Sequence, residues 1–531
     1  MRPVSVDQME ITDVAEHLSP SPFDVVLIGS GLSATYTTIR LLERVLATGQ
    51  GQRLSIATVE RASEFYTGIP YGERSGTNAL LITALKEFIP SPERELFTKW
   101  LTDNRHWMLE SFRASGGVLS AEWLKVHHGA IEAGEWEDLY VPRYLFGLFL
   151  KERVGTLLAE AEQQSLASHM CIQAEAVDVV RIDGLYEISL SGSAPVLQAR
   201  SVVLAVGMPV PLSQFSTLPA DAAPTACLVD DPYLPTVLVT MERVREQLRQ
   251  ASGGTVLLIG ANASTMELLF RFNDDAEINS LVTKFYVASP KGALPERLVD
   301  PDPSVHFVAQ HLEALLDKPG LTAKGVYQAA LRDIAEGTEQ QLTISDTLTP
   351  IFQAMGAVIK QLSREQKLKF AGVWGSDLGR FQRRAGTEYS DLVESLQHAG
   401  RLHVLAARFV GLGSVDAGGV QVRYTRDTDM VVHEYPTPMT VIVNCSGSGS
   451  LNAAGAAGIV ESLVKRGLVR VNASARGLEV DDTMQASENL YVVGPLMSGN
   501  VIADAPVWHM EHCGRIISYG GVLANILFDR L

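Results

Sequence analysis

The chain has 531 residues, 46% hydrophobic and 20% charged, with a formal net charge of −17. That length calls for more than one core, since single cores stop growing near ~250–300 residues, and the acidity excludes nucleic acid and anionic membrane surfaces as natural partners. No uninterrupted apolar run reaches the roughly 20 residues of a membrane helix, and four scattered cysteines (Cys171, Cys227, Cys445, Cys513) make no disulfide framework, so a soluble protein of a reducing cytoplasm is expected.

Residues 1–22 mix Asp, Glu, Pro and Ser and read as a flexible leader; they lack the basic start and apolar centre of a signal peptide. Residues 23–28, FDVVLI, then form a uniformly apolar run that predicts a buried strand. Gly29-x-Gly31-x-x-Ala34 follows at once, and apolar residues at helical spacing run on to about Ala47. A second apolar run from Leu54 stops at Glu60, 31 residues past Gly29. Each part suits a dinucleotide. Gly29 makes the tight turn, Gly31 leaves the backbone open to a pyrophosphate, and Ala34 lets helix and strand pack closely. The helix start at Ser33 offers N–H groups, and Glu60 stands where an acid accepts hydrogen bonds from ribose hydroxyls. The bland alternative is a tight strand–helix turn followed by a surface glutamate.

A second copy begins at Thr255. TVLLI leads into Gly260-Ala-Asn262-Ala-Ser264-Thr265, an apolar helical run follows, and another strand ends at Ser289-Pro-Lys291. Asn262 replaces the second glycine, although Asn tolerates unusual backbone angles. No acid closes the unit. Ser289 and Lys291 stand where a 2′-phosphate would lie, which favours NADPH over NADH. The alternative is a nucleotide fold kept for architecture. Residues 305–370 read as a helical insert. Arg380, Arg383 and Arg384 make a basic run that faces either solvent or an anion.

Near the end, Asp504, His509 and His512 are the candidate catalytic side chains, as acid or substrate anchor over a cofactor; packing and capping are the plainer roles. His509, His512 and Cys513 at i, i+3, i+4 could share a helix face, but a metal site there lacks a further ligand, and none is assigned. No C-x-x-C, G-x-S-x-G or H-E-x-x-H occurs.

The order of these motifs resembles the bacterial FAD/NAD(P)-binding flavoprotein family, distant kin of the flavin-containing and N-hydroxylating monooxygenases. GIPYG (68–72), YVPRYLFGLFL (140–150), ARSVVLAVGMPVP (199–211), VIVNCSGSGS (441–450) and NLYVVGPLMSGNVI (489–502) carry the resemblance. It implies FAD contacts from Arg61, Tyr71, Arg143, Val177, Gly207, Gly494 and Pro495 beside Gly29, Gly31, Ser33, Ala34 and Glu60. Gly260, Asn262, Ser264, Ser289 and Lys291 would take NADPH.

The expected fold is α/β, with two Rossmann-like dinucleotide-binding domains, the second inserted in the first. Residues 23–250 and 400–531, including the strand at 441–445, form the FAD domain; residues 251–399 form the NAD(P) domain. The expected activity is that of an NADPH-dependent, FAD-containing monooxygenase of a small-molecule amine or sulfur nucleophile, with homodimers as an assembly. A nicotinamide-independent flavin oxidase or dehydrogenase, and a non-catalytic flavin-binding regulatory protein, are the alternatives. A scarcity of reactive side chains suits a flavoenzyme, because the cofactor carries the electron chemistry.

Overall fold

The computed structural model describes residues 21–49, 53–192, 194–208, 213–215, 226–416, 418–452 and 458–530. The first 20 residues of the expected leader lie outside them. The Phe23–Ile28 strand sits centrally in a parallel sheet ordered Leu490–Val492, Leu197–Leu204, Phe23–Ile28, Leu54–Glu60, Ala167–Gln173. It is flanked by strands on both edges and covered on both faces, which is why it reads as a continuous apolar run. The Ala176–Ile182 and Leu185–Leu190 hairpin hangs on Leu197–Leu204 in antiparallel fashion.

The Leu32–Thr48 helix ends at Gly49 in the left-handed conformation. The C-terminal helix Cys513–Phe528 lies along it. Gly520 sits against Tyr36 and Thr37, where a Cβ would come within 3.2 Å. Further along, Arg44 donates to Asn525 Oδ1 at 2.5 Å and to Asp529 Oδ1 at 2.6 Å. Contacts advance in the same direction on both helices, so they run parallel and their N-termini share one edge of the molecule.

The second sheet is also parallel, ordered Leu402–Ala406, Val282–Ser289, Gly254–Ile259, Val441–Asn444, Cys227–Val229. This corrects the expected division. Val441–Asn444 pairs with Gly254–Ile259 (Ile442 opposite Leu257), not with the first sheet, and Leu402–Ala406 also belongs here. The second unit therefore runs past 399 through Asn444 and takes one strand from before 251. A fully buried parallel strand has the same apolar pattern in either sheet, so pattern cannot choose between them. An antiparallel sheet of Arg408–Asp416, Gly419–Thr425 and His433–Glu434 packs on this unit through Leu412, Val420 and Val422.

Between the two lies the helical insert. Helices Gln310–Glu313, Ala323–Glu339, Ile344–Lys360 and Arg364–Lys369, then the π turn Phe370–Trp374, enclose a core of Leu312, Val326, Ile351, Met355, Val358 and Phe370. A capping box of Thr343 and Asp346 starts Ile344–Lys360. The insert docks on the C-terminal segment. Trp508 packs on Gly375 and edge-on to Phe370 at 5.5 Å, and buried Lys367 donates to Asp504 Oδ2 at 2.6 Å. Among the described residues no helix is long and apolar enough to cross a membrane.

Candidate cofactor site

The first elbow is bare. Gly29 has φ +96° and its N–H donates to Val59 O at 2.8 Å, while a Cβ on it would lie 2.5 Å from Ala205 O. Only glycine combines that backbone angle with so close a neighbouring strand. Gly31 faces Gly68, whose own Cβ would come within 3.0 Å of Gly31 Cα. Gly31 is the N-cap of Leu32–Thr48, and no side chain occupies that helix end. Glu60 Oε2 accepts from Ser30 N at 2.9 Å and from Ser30 Oγ at 3.1 Å, and Oε1 accepts from Ala62 N at 3.0 Å. A carboxylate has about four acceptor sites; Oε2 has both of its own filled, so Oε1 keeps one for a ribose hydroxyl.

Other assigned residues gather at this edge. Gly494, φ +84°, lies against Ser33 Oγ, and Pro495 opens a single 3-10 turn behind it. Gly207, φ +79°, follows the strand whose Ala205 faces Gly29, and nothing lies within 4 Å of where its Cβ would be. Ala34 is buried in the helix, and Arg61 is exposed next to Glu60. Ala174 N donates to Glu60 O at 2.9 Å, which brings the start of Ala176–Ile182, with exposed Val177, beside the acid.

Two assigned residues point elsewhere. Tyr71 is buried against Phe88 and Phe146, and its hydroxyl shares a hydrogen bond with Cys513 Sγ at 3.0 Å. It ties the loop after Gly68 to the last helix. Arg143 turns away from the elbow, pairing with Glu267 Oε2 at 2.7 Å and donating to Ser75 Oγ at 2.8 Å. Its partner comes from the second unit, which nothing in local sequence announces.

Tyr66 was not foreseen. It holds φ +70° with its ring buried; its N–H donates to Ser30 Oγ at 3.3 Å and its carbonyl accepts from Thr35 Oγ1 at 3.1 Å. A bulky residue in the left-handed region is strained, and the elbow itself holds it there. Residue type carries no signal for that.

The second elbow copies the first with one substitution. Gly260 has φ +109°, its N–H donates to Ala288 O at 2.8 Å, and a Cβ would strike Cys445 O. Asn262, however, caps its own helix. Its Oδ1 accepts from Ser264 N at 3.0 Å and Thr265 N at 3.3 Å, and its Nδ2 donates to Cys445 O at 2.6 Å. Those are the N–H groups a pyrophosphate would use. Ser289 is buried, and Lys291 is exposed, 3.8 Å from Asp427. The first elbow thus fits FAD. The second, in this conformation, does not fit a pyrophosphate until the Asn262 carboxamide moves.

The C-terminal candidates separate. Asp504 occupies the turn of the Asn500–Ile502/Ala505–Val507 hairpin and holds Lys367 of the insert, a docking role. The last helix begins only at Cys513, so His509, His512 and buried Cys513 do not share a helix face. His509 is held down to about 3 by burial and by the Arg515, Arg383 and His512 charges, and it stays neutral at ordinary pH. The His311, Asp333, Glu336 group in the insert is a cap, since Asp333 accepts from the N–H groups of His311 and Leu312.

Twin parallel sheets, each with a glycine elbow at the carboxyl end of its central strand, define the two-unit FAD/NAD(P) flavoprotein architecture. Residues 26–209 match the FAD-NAD(P)-binding family. Uncharacterized protein Rv3403c of Mycobacterium tuberculosis and uncharacterized protein Mb3437c of Mycobacterium bovis are each 31% identical over 97% of this chain and 97% of their own length. The chain belongs to one family with those mycobacterial proteins, and its residues 26–209 carry the FAD-NAD(P)-binding domain.

Among solved structures, the ornithine hydroxylase PvdA of Pseudomonas aeruginosa shares the fold at 12% identity and TM-score 0.54, covering 96% of this chain and 99% of its own. The ornithine N-hydroxylase KtzI of Kutzneria sp. 744 does so at 15% identity and TM-score 0.54, covering 96% and 100%. DfoA of Erwinia amylovora, a cadaverine monooxygenase bound to FAD, does so at 10% and 0.54, covering 96% and 94%.

Proposed function

We propose that the protein is an FAD-dependent oxidoreductase, and within that class an NADPH-dependent monooxygenase of a small-molecule amine or sulfur nucleophile. The bare first elbow, closed by Glu60 and paired with a second copy of the same unit, carries the reading. Proteins of the same fold are an ornithine hydroxylase and a cadaverine monooxygenase, which supports an amine as substrate. Gly29, Gly31 and Gly68 open the backbone to a pyrophosphate, the Leu32–Thr48 N-terminus supplies its N–H groups, and Glu60 holds the ribose. Bound FAD supplies the electron transfer and oxygen chemistry. The insert is seated on Trp508 and Asp504 of the C-terminal segment. The four cysteines are free and buried, which supports a reducing, cytoplasmic setting.

Anaerobic mixing of the purified protein with NADPH tests this reading. Loss of the flavin's visible absorbance within the turnover time is expected; an unchanged spectrum sinks it.

The Asn262 cap favours a second reading, an oxidase or dehydrogenase reduced by its own substrate. Oxygen uptake with an organic substrate and no NADPH would select it. Under the first reading, Asn262→Gly frees two N–H groups for phosphate at a capping cost of a few tenths of a kcal/mol. The half-saturating NADPH concentration for flavin reduction should then fall roughly tenfold, the worth of one to two net hydrogen bonds. An unchanged or raised value would show that the carboxamide is no obstacle.

A further inference from the structure

The candidate cofactor edge carries a group of cations with no acid to answer them. Arg515 Nη1 lies 3.5 Å from His509 Nδ1 and donates to His509 O at 3.2 Å, and its guanidinium carbon stacks 4.9 Å over the Trp508 ring. Gly379 of the insert lies beside His509, where a Cβ on it would come within 3.8 Å of His509 Nδ1, and the Gly379–Gln382 turn leads directly into exposed Arg383. The Arg383 and His512 charges help burial hold the His509 pKa down. Burial, with the Arg515 charge adding to it, holds the His512 side chain below its ordinary value, and burial holds Arg515 below its own.

The neighbouring arginines are answered. Arg380 pairs with Asp377 at 3.5 Å, Arg364 with Asp482 at 3.3 Å, and Arg384 donates to Ser345 Oγ at 2.6 Å. Among the described residues, no carboxylate oxygen lies within 4.0 Å of Arg383, His509, His512 or Arg515, although acids outnumber bases 61 to 44 in the chain. The Trp508 indole N–H beside Arg515 is buried and has no acceptor.

Position adds to charge. His512 is the N-cap of Cys513–Phe528 and offers no side-chain hydrogen bond to that helix end. This end lies at the same edge as the N-terminus of Leu32–Thr48, because the two helices run parallel. Tyr71, three residues past Gly68, reaches Cys513 directly.

We propose that the edge where the Gly379–Gln382 turn of the insert meets the 508–515 segment binds the anionic end of a small ligand, a carboxylate or phosphate, through Arg383 and Arg515. Planar guanidinium groups suit either anion because they present paired N–H donors. Neutral His509 adds one hydrogen bond and no charge. The inference rests on the flavoenzyme reading for its meaning: the anchored end then fixes a ligand's reactive part beside the cofactor. The ligand is either the substrate, through a carboxylate, or the nicotinamide coenzyme, through its phosphates.

Calorimetric titration of the flavin-loaded protein at low salt separates these. The probes are sodium pyrophosphate and glutarate. Saturable binding of at least one, with a Kd of about 0.1–1 mM, is expected. Preference for glutarate assigns the anion site to a carboxylate substrate, and preference for pyrophosphate assigns it to the coenzyme. Arg383→Gln combined with Arg515→Gln should weaken the preferred probe at least tenfold, while Arg364→Gln leaves it unchanged. Absence of saturable heat from both probes overturns the proposal, as does equal binding by the double variant. If the double variant fails to fold, Arg383→Gln alone serves, because that side chain is exposed and should still weaken binding severalfold. Visible absorbance of the same sample reports the flavin separately. A colourless protein that binds the probes refutes the flavoenzyme reading and leaves the anion site standing.

Discussion

A Gly31→Val variant will fold and purify without flavin. Gly31 has φ −73° and ψ −178°, extended backbone open to any residue, and the nearest atom to an added Cβ is Gly68 Cα at 3.8 Å. The protein itself therefore accommodates the side chain. Losing a glycine N-cap to a β-branched residue costs about 1 kcal/mol. The space that valine fills is where a pyrophosphate must approach the helix start. FAD affinity should fall at least about 100-fold, equivalent to ~2.7 kcal/mol. Flavin absorbance after gel filtration, beside a circular-dichroism melt, checks both halves. Retained colour would refute the elbow as the cofactor cradle. Gly29→Ala cannot make this separation, because its Cβ would meet the Ala205 carbonyl and the fold would suffer first.

Glu267→Ala should cost about 3–5 kcal/mol of stability, a large part of the 5–15 kcal/mol typical of a domain. Glu267 is 2% exposed on the helix Ala263–Asp274. It accepts from Arg271 Nε at 2.9 Å, from Arg143 Nη2 at 2.7 Å and from the Tyr233 hydroxyl at 2.9 Å. Arg271 continues to Asn78 Oδ1 at 2.5 Å and to the Ser75 carbonyl. Asn78 in turn donates to Asp274 Oδ2 at 2.7 Å. Burial works against the Arg143 charge, but the Glu267 carboxylate outweighs it and raises that pKa. Removing the carboxylate leaves two buried guanidinium groups facing each other. Chemical denaturation followed by circular dichroism measures the loss, and a change under about 1 kcal/mol would show that the network is not what joins the two units.

The first elbow was legible because its chemistry is local. Gly29, Gly31, Ala34 and Glu60 lie within one strand–helix–strand unit, where spacing alone dictates position. The Arg143 side chain was illegible for the opposite reason: it pairs with Glu267, more than a hundred residues away on the other unit. The basic run at 380–384 was visible as charge, yet packing separated its members. Arg380 and Arg384 find partners in the insert, and Arg383 stays exposed with no carboxylate within 4.0 Å among the described residues. Arg515 drew no notice, being one ordinary arginine on an apolar helix.

Amino-acid order by itself determined that two dinucleotide folds exist, where their glycine turns fall, and that an acid closes the first unit while an asparagine stands in the second turn. Hydrophobic period and backbone freedom act over a few residues, so they survive in a linear string. Only the tertiary structure decided that Val441–Asn444 belongs to the second sheet, that the Asn262 carboxamide closes its own helix, and that Arg515 packs on His509 and Trp508 with no carboxylate within 4.0 Å among the described residues. Strand pairing, side-chain caps and charge compensation are each settled by which distant groups burial brings within a few ångströms.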